Sequence, residues 1–301
     1  MKHVAILAGL VFWSTAFLQA REVVQLTWPT HVASPPPQLE KPASDWLPMF
    51  RVALATLPEA TTVGLALSQP DFLGLPAEAT TKLTSLVARR YELIAADIAY
   101  AKAASALPYC FSVEKPTSGQ ASLYVPDQVS AATPFIVFLH GYGGSFLWYQ
   151  HYLSELFPEA VILAPAYGID PQKIPVEYVM ESMKAAEKHL GKTLPLPRLI
   201  GLSAGGFGAC RVFAARPQTF ASLEVLAAYP PGEVLPRLPQ HQPIRFIAGG
   251  NEMSVYGAAW EAAKRALAAR KVPATFTLIP KADHFFMLTH REPTAHWLNG
   301  K

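Results

Sequence analysis

Gly201-Leu202-Ser203-Ala204-Gly205-Gly206 joins an apolar run, Arg198-Leu199-Ile200-Gly201-Leu202, to a helix-forming stretch that begins at Ala204. A strand that turns this tightly into a helix forces the corner residue into a strained backbone conformation, and bulky neighbours would collide with the adjacent chain. Small residues at 201, 205 and 206 remove that collision. The serine at the corner then stands at the carboxyl end of its strand, where open α/β sheets bind their ligands. The helix N-terminus beneath it favours developing negative charge. The competing reading is a plain glycine-rich turn.

Outward from this corner the pattern is strand and helix in alternation. Phe135 to Leu139 and Ala160 to Ala164 are continuous apolar runs, as expected for strands buried on both faces of a sheet. Val176 to Leu190 has helical spacing. Leu223 to Ala228, Ile244 to Ala248 and Ala274 to Ile279 read as further strands, with an alanine-rich helix over Ser254 to Lys271. Such alternation implies right-handed crossovers and a mostly parallel sheet flanked by helices, the α/β class. Tyr109 to Val113 and Ala121 to Val125 read as a hairpin turning at Thr117-Ser118-Gly119, which adds an antiparallel edge.

Residues 108–301 therefore form one catalytic-sized α/β domain, and 45–107 a helical extension before it. In that extension Leu83, Leu86, Val87, Ile94, Ile98 and Ala101 make one apolar stripe that must be buried. A structural brace against the following domain is the expected role, ahead of a lid over a site. Residues 21–44 are dense in proline (Pro29, Pro35, Pro36, Pro37, Pro42), which fixes φ and removes donors, so they read as a tether. Residues 1–20 have the layout of a secretory signal peptide: a positive start, an apolar run from Val4 to Phe17, and a small residue at Ala20 before Arg21. Export to the periplasm or medium follows. The run is short against the ~20 apolar residues of a membrane span, so no stable membrane anchor is expected, an uncleaved signal anchor being the alternative.

Charged residues make up only 16% of the chain and its formal charge is +3, with no dense run of lysine or arginine. Nucleic acid and anionic lipid are thereby excluded as expected partners. Cys110 and Cys210 are the two cysteines; they either pair in an oxidising compartment, closing a loop worth up to about 4.7 kcal/mol, or remain two buried thiols. Neither has a CxxC partner or a histidine cluster, so no metal site is expected. The sequence leaves the oligomeric state open.

Two further segments carry chemistry. His140-Gly141-Tyr142-Gly143-Gly144 follows the strand ending at Leu139 and exposes backbone N–H groups. Those of Tyr142 and Ala204 are the expected donors to the oxyanion of a tetrahedral intermediate. His140 is expected to shape this loop by hydrogen bonding. Lys281-Ala282-Asp283-His284-Phe285-Phe286 follows the last strand, and His284 is the histidine left for a general base once those before the serine, before a strand, or in the terminal helix are set aside. Asp283, adjacent to it, should point away. There is no aspartate between Ser203 and Asp283, so the acid that orients the imidazole is sought among Glu224, Glu233, Glu252 and Glu261. Glu252, just beyond a strand's carboxyl end, is the first choice and Glu233 the alternative. Trp148, Tyr149 and Phe285 are placed to line a substrate pocket; core packing accounts for them equally well.

From about Tyr109 onward, the HGYGG loop, the GLSAGG corner and the ADHFF segment resemble the α/β-hydrolase superfamily. They look most like its polyhydroxyalkanoate depolymerase, feruloyl esterase and dienelactone hydrolase groups. The resemblance implies hydrolysis of a small-molecule carboxylic ester without a cofactor, through Ser203, His284 and a glutamate where most relatives carry aspartate. An acyltransferase, a serine peptidase and a binding protein with a dead hydrolase fold are the rival readings. Short acyl chains are the expected substrates.

Overall fold

The computed structural model describes residues 21–38, 43–68 and 77–300. The signal-peptide reading of residues 1–20 lies outside the described residues. The elements run β1 (Glu22–Pro29), α1 (Ala43–Thr56), α2 (Glu59–Leu67), α3 (Ala77–Ala96), α4 (Leu107–Cys110), β2 (Ser118–Val125), β3 (Phe135–Leu139), α5 (Leu147–Leu156) and β4 (Val161–Ala166). They continue with α6 (Val176–Leu190), β5 (Arg198–Leu202), α7 (Ala204–Ala215), β6 (Ser222–Leu226), β7 (Ile244–Gly249), α8 (Met253–Ala269), β8 (Ala274–Ile279), α9 (Phe286–Thr289) and α10 (Arg291–Leu298).

The eight strands form one open sheet in the order β1-β2-β4-β3-β5-β6-β7-β8. Strand β2 pairs antiparallel with both β1 and β4, and every other pairing is parallel. Because β3 and β5 are buried on both faces, alternate residues feed two cores. Ile136, Phe138, Ile200 and Leu202 pack on the side of α1–α5, α9 and α10. Val137, Leu139 and Leu199 pack on the side of α6, α7 and α8. Strands β3, β5, β7 and β8 all run in the same direction, so their carboxyl ends gather at one rim.

Two expectations at the amino-terminal side are corrected. Residues 22–29, assigned to a tether, form β1, an edge strand in register from Glu22 opposite Val125 to Pro29 opposite Ser118. Val23, Leu26 and Trp28 are buried by it, and Pro29 sits at the strand end, where its missing N–H costs no ladder bond. The following Thr30 hydroxyl and the Trp28 indole both donate to Glu181 of α6, at 2.6 and 3.2 Å, fastening this stretch to the sheet's flank. Residues 109–113, assigned to a hairpin strand, instead begin inside the one-turn helix α4. Leu107 and Cys110 face the core there, and Pro108 stands where a helix start tolerates it. The antiparallel edge is thus β1 with β2.

The cysteines do not pair. Both are free and buried, Cys110 in the core on the α5 side and Cys210 in the core on the α6 side, with the sheet between them. The apolar stripe of α3 is buried at Leu83, Val87 and Ile94, but the helix ends at Ala96, and Ile98 beyond it is 75% exposed.

Candidate active site

Ser203 occupies the corner between β5 and α7 with φ 53° and ψ −118°, a region that non-glycine residues rarely enter and that costs about 1–3 kcal/mol. Its surroundings hold it there. The Ser203 N–H donates to Leu226 O of β6 at 2.8 Å, and its carbonyl accepts from Gly206 and Phe207 at 2.8 and 3.2 Å. The neighbouring glycines are required by proximity: a Cβ at Gly201 would lie 2.4 Å from Gly205 O, and one at Gly205 would lie 2.3 Å from the carbonyls of both Leu139 and His140. The corner is therefore wedged against the end of β3, beside the HGYGG loop.

In that loop His140 is buried. Its Nε2 accepts from the Tyr167 N–H at 3.3 Å, so Nδ1 carries the proton and donates to Gly141 O at 2.7 Å. Burial lowers its pKa from 6.5 to about 4, which keeps the ring neutral. This histidine braces the loop, as the sequence suggested. Gly143 spends its own N–H on Ile169 O at 2.8 Å.

His284 follows β8 on the loop before α9. Its Nε2 lies 2.8 Å from Ser203 Oγ and its Nδ1 lies 2.5 Å from Glu252 Oε1. A carboxylate only accepts, so Nδ1 bears the proton and Nε2 is left to receive the serine hydroxyl proton. Glu252 lies just past β7, nearly buried, and its other oxygen accepts the Gly249 N–H at 2.7 Å. Burial alone would raise its pKa; the His284 ring, the nearby Tyr256 hydroxyl and the Gly249 amide outweigh burial and hold it below the ordinary value. The Tyr256 hydroxyl is itself buried beside this carboxylate, without a partner in hydrogen-bonding geometry.

The other candidates are engaged elsewhere. Glu233 is exposed and pairs with Arg211 at 2.7 Å. Glu224 is buried between Arg198 and Arg245, at 2.6 and 2.8 Å. Asp283 turns from the imidazole and accepts from the Phe285 N–H at 2.9 Å and the Thr289 hydroxyl at 3.3 Å, shaping the loop that carries His284.

A serine at a left-handed corner after β5, an imidazole after β8 and a carboxylate after β7 converge at the carboxyl rim of a sheet whose second strand alone runs backwards. The fold is that of the α/β-hydrolases. The serine and imidazole open into a cavity of about 420 Å³. Trp148, Tyr149, Phe285 and the exposed Tyr142 are among the residues that line it.

Much of the rest of the wall comes from the extension, for which the sequence ranked a brace ahead of a lid. Leu47 and Phe50 of α1, Val63 and Leu67 of α2, and Leu83 and Val87 of α3 face the same cavity, so the extension roofs the site as well as bracing the sheet. The α3 stripe was visible, but no pattern in the chain says which cleft it covers. Among the described residues no group of histidine, cysteine and acidic side chains could hold a metal ion. Also among them, no helix is long and apolar enough to cross a membrane.

No protein-family model matches the chain, and no curated protein does. Among solved structures it is similar to a thermostable esterase, at 19% identity over 63% of this chain and 57% of that one, with a TM-score of 0.44. It is similar to a dienelactone hydrolase from Anabaena variabilis at 19% identity, over 61% and 92% of the two chains, TM-score 0.46. A ferulic acid esterase matches at 13% identity over 58% and 90%, TM-score 0.46. The chain thus spans little more than half the length of the thermostable esterase.

Proposed function

We propose that the protein is a serine hydrolase that cleaves carboxylic esters by two-step acyl transfer. The observation that carries this reading is the unbroken chain of contacts from Ser203 Oγ through the His284 ring to Glu252, opening onto an apolar cavity. His284 Nε2 takes the serine proton as Oγ attacks the ester carbonyl, and returns it to the departing alkoxide. Glu252 fixes the ring's tautomer and offsets the imidazolium charge. The Ala204 N–H, in the first turn of α7, and the Tyr142 N–H are the proposed donors to the oxyanion. Water activated by the same imidazole then releases the acid and restores Ser203.

Rapid mixing with p-nitrophenyl acetate tests this. A burst of p-nitrophenol equal to the protein concentration is expected in the native chain and none in Ser203→Ala. A burst that survives the substitution rules the serine out as nucleophile.

Export is also proposed. The Arg21 N–H donates to Asp127 Oδ1 at 2.6 Å, so a chain cut after Ala20 presents its new α-ammonium group to a carboxylate. Sequencing the mature protein from its amino terminus is expected to begin at Arg21; a start at Met1 contradicts cleavage.

A further inference from the structure

We infer that α1–α3 form the acyl-chain half of the site, and that the preferred substrates are esters of medium to long linear acyl chains. This rests on the serine hydrolase reading and names its substrate class. The cavity above Ser203 and His284 has about 420 Å³, within the ~300–1,000 Å³ that enclose ligands well beyond an acetyl group in size. Its reacting end is polar and the remainder is not. Phe50, Val63, Leu67, Leu83 and Val87 come from the three extension helices, and Leu288 of α9 also lines it. Among the described residues that line the cavity there is no aspartate, glutamate, lysine or arginine, and His284 is the one histidine.

That lining selects by what it refuses. A sugar or a charged acyl group entering it would exchange its water for a lining that is mostly apolar, a penalty that a methylene chain does not meet. A hydroxylated aromatic acyl group carries the same penalty for each oxygen that leaves water. A methylene chain loses nothing, and each CH₂ taken from water is worth about fourfold in kcat/KM. The sequence-based expectation of short acyl chains omitted this space, because its walls come from a segment outside the hydrolase motifs.

The test is a series of p-nitrophenyl esters (acetate, butyrate, octanoate and palmitate) on the native protein and on Ala66→Phe and Val87→Phe. These two variants push a ring into the cavity from α2 and α3. The native kcat/KM is expected to rise by about threefold to fourfold per added methylene from acetate to octanoate. In each variant the octanoate-to-acetate ratio is expected to fall at least tenfold. A native enzyme that prefers acetate overturns the inference whether or not the variants fold. So does an unchanged ratio in both variants with native-like melting. Turnover with no chain-length preference sinks this inference alone; no turnover of any ester together with an unlabelled Ser203 sinks the hydrolase reading.

Discussion

Glu59 is a buried carboxylate in α2 that joins the roof of the cavity to the α/β sheet domain, and replacing it separates two effects. Its Oε1 accepts from the Tyr91 hydroxyl of α3 at 2.6 Å and from the Leu147 N–H at the start of α5 at 2.8 Å; the Ser105 hydroxyl donates to its other oxygen. Glu59→Ala leaves these donors without an acceptor. At about 1–3 kcal/mol for each buried orphan, less the relief of no longer burying a carboxylate, the expected net loss is about 2–4 kcal/mol of unfolding free energy. Glu59→Gln keeps an oxygen for Tyr91 and Leu147, and the Ser105 hydroxyl can turn to accept from the new amide, so its loss should stay under about 1 kcal/mol. Burial raises the Glu59 pKa despite the three bonds that oppose it. An acid whose folded pKa is raised contributes stability fully below its unfolded value of about 4.3 and loses it as pH climbs through the folded value. Glutamine does not titrate, so the glutamine variant should gain on the native protein as pH rises from 4 to neutrality. Urea unfolding of the three proteins across that range is the assay. An alanine variant within 1 kcal/mol of native, or a glutamine variant that loses ground as pH rises, refutes the reasoning.

Three further outcomes are expected. Gly205→Ala forces a methyl group against two backbone carbonyls 2.3 Å away and should cost at least about 2–3 kcal/mol by thermal denaturation; a variant that melts like the native protein contradicts the packing described for the corner. His140 is a base whose folded pKa is lowered from 6.5 to about 4, so it contributes stability above 6.5 that is lost as pH falls towards 4, up to about 3 kcal/mol. His140→Asn should flatten that part of the stability profile, and an unchanged acid limb argues against a neutral buried ring. Glu252→Gln should lower kcat by about 10²–10⁴ with a folded protein, because the amide no longer selects the Nδ1–H tautomer; a loss under tenfold would remove Glu252 from the mechanism.

The residues that were readable in the chain are those whose role is written locally. Ser203 sits among three glycines, directly after an apolar strand and before a helix, and so tight a corner is visible in the chain itself. His284 and Glu252 were found by their positions just after strands, since the carboxyl ends of parallel strands meet at one rim. Residues 22–29 were hidden by the prolines that follow them: the alternation of Val24, Leu26 and Trp28 on one face was present, but pairing with Ser118–Val125, nearly 100 residues later, is what makes it a strand. Tyr109 to Val113 has strand-like residues whose preference is overridden by burying Leu107 and Cys110 beneath the Gly144 loop. The roof over the cavity was illegible for the same reason. An apolar stripe announces that it must be covered and carries no address for its partner. The Tyr256 hydroxyl beside Glu252 lies four residues from it on a helix, a spacing that marks proximity without marking purpose.

The claim on which the rest depends is that the Ser203 hydroxyl is activated by the ring 2.8 Å away. Incubating the folded protein with a fluorophosphonate and mapping the product by peptide mass spectrometry tests it. One adduct per chain, on Ser203, is expected in the native protein, with labelling slowed at least a hundredfold in His284→Ala. A native protein that stays unmodified, or that carries its adduct on another residue, contradicts the account.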